Sequence, residues 1–147
     1  MVYKHPLVLL GMKKRGFGVG RWNGFGGKAN PGETLEENVI RELKEECGIM
    51  AKDIKKKAVL NFFFEYEPLE YIEVNIFGIY DFAGEPVESE EMKPKWFRID
   101  EIPYGKMWPD DIYWHHLFFS GKNFKGNFFF KDFDTIIRHE LEETDAL

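Results

Sequence analysis

Apolar residues come in short runs parted by polar turns, with helical spacing confined to a few stretches. Residues 7–12, Leu-Val-Leu-Leu-Gly-Met, predict a buried strand ending at Gly11. Residues 58–66 and 71–82, rich in Phe, Tyr, Val and Ile, predict two further strands joined around Glu67-Pro68, and residues 95–99 a short third. Thr34-Leu35-Glu36-Glu37 has the spacing of a capping box, with Thr34 as N-cap and Glu37 three residues on. A helix follows to about Cys47: Val39, Ile40, Leu43 and Cys47 recur at its period, and Gly48 stands where a left-handed residue ends many helices. A second helix is predicted from Asp110 to Phe119, entered through Pro109 and closed by Gly121. Phe62, Phe64, Phe128 and Phe130 alternate as strand-face residues should. Residues 127–131 read as strand and 132–134 as a turn, while 135–143 fits strand or helix.

Six glycines between Gly16 and Gly27 exclude a regular helix there and point to a loop that approaches a ligand closely, simple turns being the alternative. The 147 residues fit one domain, with no internal repeat or linker. No apolar stretch nears the roughly 18 residues a spanning helix needs, and the N-terminus lacks a signal-peptide pattern. One cysteine, Cys47, cannot form an internal disulfide and suits a reducing compartment. A cytoplasmic setting is therefore expected, with nuclear or mitochondrial presence left open. Twenty Lys and Arg against 26 Asp and Glu give a net charge of −6, which disfavours gripping a nucleic-acid polymer by its backbone and gives no sign of membrane binding.

The candidate chemistry lies on the first helix. At about 100° per residue, Glu42, Glu45 and Glu46 share an arc of roughly 100° beside Val39, Ile40 and Leu43. Carboxylates this close raise one another's pKa, and an all-oxygen set without His or Cys suits Mg²⁺, with Mn²⁺ as the alternative ion. The competing reading is a solvated acidic face. Two other phosphate motifs fail: a P-loop would need glycine at Trp22 and a hydroxyl at Ala29, and Gly16-x-Gly18-x-Gly20 lacks dinucleotide spacing. A second acidic pair, Asp110-Asp111, follows Trp108-Pro109. In a poorly hydrated aromatic pocket both cannot ionise cheaply, so one keeps its proton and donates while the other accepts. Complementing a helix dipole is the plainer reading of the same pair. His115 and His116 lack zinc-ligand spacing and read as structural or solvated.

Gly27, Glu33, Arg41-Glu42-Leu43, Glu45-Glu46, Gly48 and Ile49 match the Nudix box over residues 27–49, and the chain resembles a Nudix hydrolase. The resemblance implies an α/β fold, an α/β/α sandwich on a mixed sheet, that cleaves a nucleoside diphosphate linked to another group with Mg²⁺. It makes Glu42, Glu45 and Glu46 metal ligands beside the Gly26 carbonyl, with Arg41 orienting them through Glu33. The general base is Glu46 or Glu91, and Glu91 joins the metal set. Further segments, Gly11–Gly18, Gly20–Lys28, Pro86–Ser89 and Met107–Asp111, are similar to the mammalian-type MutT homologues, the oxidised-purine nucleoside triphosphatases.

That similarity implies that Asn23, Asp110 and Asp111 bind the purine edge, and that Trp108, Phe17, Phe62, Phe64 and Trp114 surround the base. Lys13, Phe25 and Lys28 complete the implied substrate-binding set. The implied reaction takes 8-oxo-dGTP or 2-oxo-dATP to the monophosphate and pyrophosphate, sanitising the nucleotide pool, with a monomer acting on a small-molecule nucleotide. Another Nudix substrate (ADP-ribose, a dinucleoside polyphosphate, an mRNA cap) is the nearest alternative, and a non-catalytic nucleotide-binding module the alternative of another class. Members of this type carry an extra strand before the Leu7 run, where only six residues stand here, so a missing strand is expected. Across residues 65–75 the match weakens, leaving Tyr71 or Ile72 opposite a base-contacting methionine of the relatives.

Overall fold

Thr34 and Gly48 bound the helix they announce. In the computed structural model, which describes residues 1–147, α1 spans Leu35–Cys47. The Thr34 hydroxyl accepts the Glu37 N–H at 3.1 Å, and Gly48, at φ 75°, donates its own N–H to the Lys44 carbonyl. A side chain at position 48 would strain that left-handed turn. Leu43 and Cys47 pack with Val2, Leu9, Ile49, Ala51 and Ile79, and Val39 and Ile40 flank this core. The Cys47 thiol is fully buried, donates to the Leu43 carbonyl at 3.4 Å and is pushed up to about 11 by burial.

The chain forms two compact units, Met1–Lys55 with Gly78–Met107, and Lys56–Phe77 with Trp108–Leu147. In the first lie β1 (Val2–Lys4), β2 (Leu7–Lys13), β3 (Trp22–Asn23), α1 and β6 (Met92–Arg98), with the opening of β4 (Met50–Phe64) and the end of β5 (Glu67–Ala83). β2 pairs antiparallel with β1, β3 and β6, whereas β1 meets β5 in parallel at Val2↔Ile79. The strand expected to be missing is therefore present. Three residues suffice because Val2 is fully buried and the Met1 carbonyl accepts the Ile79 N–H at 2.9 Å. β6 also starts earlier than expected, at Met92, which is buried.

The second unit holds the remainder of β4 and β5 with α2 (Asp111–Phe119), β7 (Phe124–Asp132) and β8 (Thr135–Glu143). β4 and β7 run parallel in the register Ala58↔Phe124 to Phe64↔Phe130, a pairing that needs a long crossover, and α2 lies on it. β8 returns antiparallel to β7, which resolves 135–143 as strand. The alternating phenylalanines pair as their spacing predicts: Phe62 stacks on Phe128 at 5.8 Å and Phe64 on Phe130 at 5.4 Å between ring centres. Other boundaries differ from expectation, β7 among them, which starts at Phe124 rather than residue 127. β4 starts at Met50 rather than residue 58, and Glu67-Pro68 opens β5 instead of making the turn. No helix is long and apolar enough to cross a membrane.

His115, on α2, is 1% exposed, and burial drives its pKa down to about 3. Its Nε2 lies 3.9 Å from Asp111, whose carboxyl burial pushes well above the usual range. Unfolded histidine titrates near 6.5. Between pH 6.5 and 3 the unfolded chain therefore binds the extra proton, and stability falls as pH drops through that window. His115→Gln is expected to shallow the acid limb of a melting-temperature profile over pH 6.5–4 relative to wild type. Parallel profiles for the two proteins would count against the assignment.

Candidate active site

Arg41 is the hub of the acidic helix face. Its Nε and Nη2 donate to the two oxygens of Glu33 at 2.7 and 3.1 Å, a bidentate pair that lowers Glu33 to about 2. Its Nη1 reaches Glu45 at 3.1 Å and Glu42 at 3.0 Å, and Nη2 also donates to the Lys28 carbonyl at 3.2 Å. One guanidinium thus ties the loop before the helix to the carboxylates on it. The three carboxylates differ in environment: the Glu45 side chain is 61% exposed, that of Glu42 is 16% exposed, and Glu46 is buried. Glu46 accepts the Gly26 N–H at 2.9 Å, and burial raises it to about 7. Gly27 leaves room for its neighbour, since a Cβ there would come within 2.6 Å of the Glu42 carboxylate.

Four carboxylates expected to hold metal divide between partners. Glu42 and Glu45 turn to Arg41, Glu46 turns to Gly26, and Glu91 bonds Lys13 at 3.2 Å and Arg15 at 2.8 Å. No group of three or more His, Cys, Asp or Glu side chains is gathered as a metal site. The donor chemistry nonetheless fits a hard divalent cation: the set is all oxygen, and a carboxylate forced toward neutrality by burial gains most from a cation. Glu91 is held below the usual carboxylate range by hydrogen bonds from Arg15 and Lys13.

The remaining residues of the first unit are placed unevenly. Asn23, on β3, donates to the Arg21 carbonyl at 3.3 Å. Phe17 and Lys28 are exposed, whereas Phe25 is half-buried and packs on the core beside Gly11. Gly16, Gly18 and Gly20 have φ of 78°, 82° and 84°, a left-handed conformation that only glycine adopts freely in tight turns.

In the second unit the aspartates are buried at the start of α2, Asp111 being its first residue. Asp110 accepts the Trp114 indole N–H at 2.9 Å, and burial raises its pKa. Asp111 is raised further, by burial first and then by the charge of Asp110, with which it shares a hydrogen bond. A hydrogen bond between two carboxyl groups needs a proton on one of them, and burial favours that neutral form. Asp110 makes no side-chain cap to α2, and both carboxyls stand at the helix N-terminus, where complementing the helix dipole stays compatible with their buried pairing. Trp114, expected among the rings around the base, is buried and donates its indole N–H to Asp110. Sequence reasoning missed Phe133: its ring meets Trp108 at 5.8 Å and Phe64 at 6.1 Å, contacts that no local pattern announces.

Residues 3–118 match the NUDIX domain model. The chain is 49% identical over 146 residues to the oxidized purine nucleoside triphosphate hydrolase of Mus musculus, covering 99% of this chain and 93% of that protein. It is 49% identical to the zebrafish (Danio rerio) protein of the same name over 100% of this chain and 94% of that one. Among solved structures, a MutT protein from Bacillus halodurans superimposes with a TM-score of 0.82 at 29% identity, covering 96% of this chain and 93% of that one.

Proposed function

Because the chain belongs to the NUDIX domain family, we propose that it hydrolyses oxidised purine nucleoside triphosphates such as 8-oxo-dGTP and 2-oxo-dATP to the monophosphate and pyrophosphate. The observation that carries this reading is the buried, proton-sharing pair Asp110 and Asp111 in a chain that also has the whole acidic helix constellation. Relatives at 49% identity bear the same activity in their name. A metal-binding helix alone would suit many nucleoside diphosphate derivatives, whereas a protonated carboxyl beside an accepting one suits the edge of a base. Moving that proton from one carboxyl to the other exchanges donor and acceptor, which lets one site take two purines with different edges.

Glu42, Glu45 and Glu46, with the Gly26 carbonyl and Glu91, would hold Mg²⁺, which when bound offsets polyphosphate charge and acidifies a coordinated water. Arg41 fixes the loop and helix carboxylates relative to each other, so little reorganisation is left for the reaction. Glu46 accepts the proton of the attacking water in this reading. Glu91 would first have to leave Lys13 and Arg15, so it is the weaker candidate for base. Lys13, Asn23, Phe17 and Lys28 complete the proposed nucleotide contacts, and Trp108 stacks on the base with Phe62 and Phe64 around it. Residues 1–147 act as one functional domain, a monomer on free nucleotides in the cytoplasm.

Incubation with 8-oxo-dGTP and Mg²⁺ should release 8-oxo-dGMP and pyrophosphate, resolved by anion-exchange chromatography. Inertness at high enzyme concentration, or faster turnover of ADP-ribose or a dinucleoside polyphosphate, would overturn the proposal.

A further inference from the structure

Phe133 sits in a two-residue connection, Phe133-Asp134, between β7 and β8. Tight hairpin turns of this length draw on Gly, Asn and Asp, and Asp132 already steadies this one by accepting the Asp134 N–H at 2.9 Å. Nothing in the turn asks for a large aromatic ring, yet one stands there 39% exposed. The approach to it is irregular: the β7/β8 ladder shifts register between Phe129 and Phe130, and again between Phe130 and Asp132. Such irregularities bend a strand and re-aim the side chains that follow.

The ring's new direction is specific. It meets Trp108 edge to face, 5.8 Å between centres and 88° between planes, Phe64 at 6.1 Å and 76°, and Tyr66 at 5.8 Å and 85°. Edge-to-face contact places a ring's positive edge against its neighbour's negative face and fixes the angle between them. Phe64 is meanwhile stacked on the buried Phe130, so the group is backed by the core of this unit. Trp108 stands two residues before the buried Asp110.

We propose that Phe133 is a positioning residue for the base: it holds the Trp108 indole in the plane on which the purine stacks, with Tyr66 and Phe64 completing the aromatic rim. This rests on the function proposed above and deepens it. Stacking reads the face of a base and not its edge, so Phe133 should serve 8-oxoguanine and 2-oxoadenine alike, unlike the aspartates.

The test is steady-state kinetics of Phe133→Ala, Phe133→Leu and Phe133→Tyr on 8-oxo-dGTP and 2-oxo-dATP. A second readout is tryptophan fluorescence titration with 8-oxo-dGMP in EDTA. Removing the ring is expected to raise KM for both substrates by roughly three- to tenfold while kcat changes less than twofold. The fluorescence dissociation constant should rise in step. Phe133→Tyr, which keeps the ring, should restore KM, and Phe133→Leu keeps apolar volume should the alanine variant fold poorly. A wild-type KM in the Ala and Leu variants, a loss confined to kcat, or an effect on one substrate only would overturn this inference and leave the function standing. Wild-type protein inert on both substrates would overturn the function and this inference with it.

Discussion

Glu46→Gln is expected to reduce kcat for 8-oxo-dGTP by about a thousandfold, the scale of losing a general base in a phosphoryl transfer. Glutamine keeps the size of the side chain and an oxygen for the Gly26 N–H, which Glu46 accepts at 2.9 Å. It loses the ability to accept a proton or to present an anionic oxygen to a cation. Burial already pushes Glu46 up to about 7, against an ordinary value near 4.5. Between those values the unfolded chain ionises and the metal-free folded chain does not, so folding stability falls as pH rises across that interval. The neutral amide is free of this effect. Metal-free Glu46→Gln should therefore melt at or above the wild-type temperature at pH 7.5 while being nearly inactive. Pyrophosphate release and thermal melts in EDTA check both halves together. Turnover within tenfold of wild type would show that the carboxylate is dispensable, and would pass the role of general base to Glu91.

Asp111→Asn should split the two substrates. In the wild type the pair shares one proton, because burial and the Asp110 charge hold the Asp111 carboxyl well above its usual range. Asparagine can donate from nitrogen and accept at oxygen, but it cannot hand a proton to Asp110. One edge pattern then survives and the other leaves a buried group unpaired, a mismatch that costs about 1–3 kcal/mol, or roughly five- to 150-fold in kcat/KM. The measurement is the ratio of kcat/KM for 8-oxo-dGTP and 2-oxo-dATP in variant and wild type. An unchanged ratio would refute proton exchange as the basis of dual recognition, even if both activities fell. Asp110 is the poorer position for this experiment, since it also carries the Trp114 indole bond at 2.9 Å.

How much of this was legible in the chain depended on whether the information was local. The α1 ends were legible because a hydroxyl, a glutamate and a glycine act within one turn of themselves, and the box followed because it is written in consecutive residues. The opening of β4 was not: from Met50 to Lys57 only Ala51 is buried, and the strand is held by backbone pairing that no side-chain alternation reports. Glu67-Pro68 looks like a turn by composition, but it opens β5, where a proline is tolerated near the first residue of a strand. Val2–Lys4 escaped for a related reason, its burial depending on pairing with Leu9 on the next strand and with Ile79 far along the chain. In the site, the Arg41–Glu33 pair was foreseen from the family resemblance, while the tie of Glu91 to Lys13 and Arg15 spans more than 70 residues and was not. Trp114 was assigned a face to stack with, and the bond from its indole N–H to Asp110 was not foreseen.

The burial of Cys47 has a consequence for the conditions in which such an enzyme works. Its substrates arise where peroxides and radicals attack nucleotides, and the same oxidants attack thiolates. Cys47 adjoins Glu46 on α1, so a bulky or charged oxidation product there would displace the carboxylates. With no exposed surface, a hydrogen bond to Leu43 and a thiol held up to about 11, the sulfur stays as unreactive thiol at physiological pH. The helix that carries the acidic set is thereby shielded, at its one cysteine, from the stress that supplies its work.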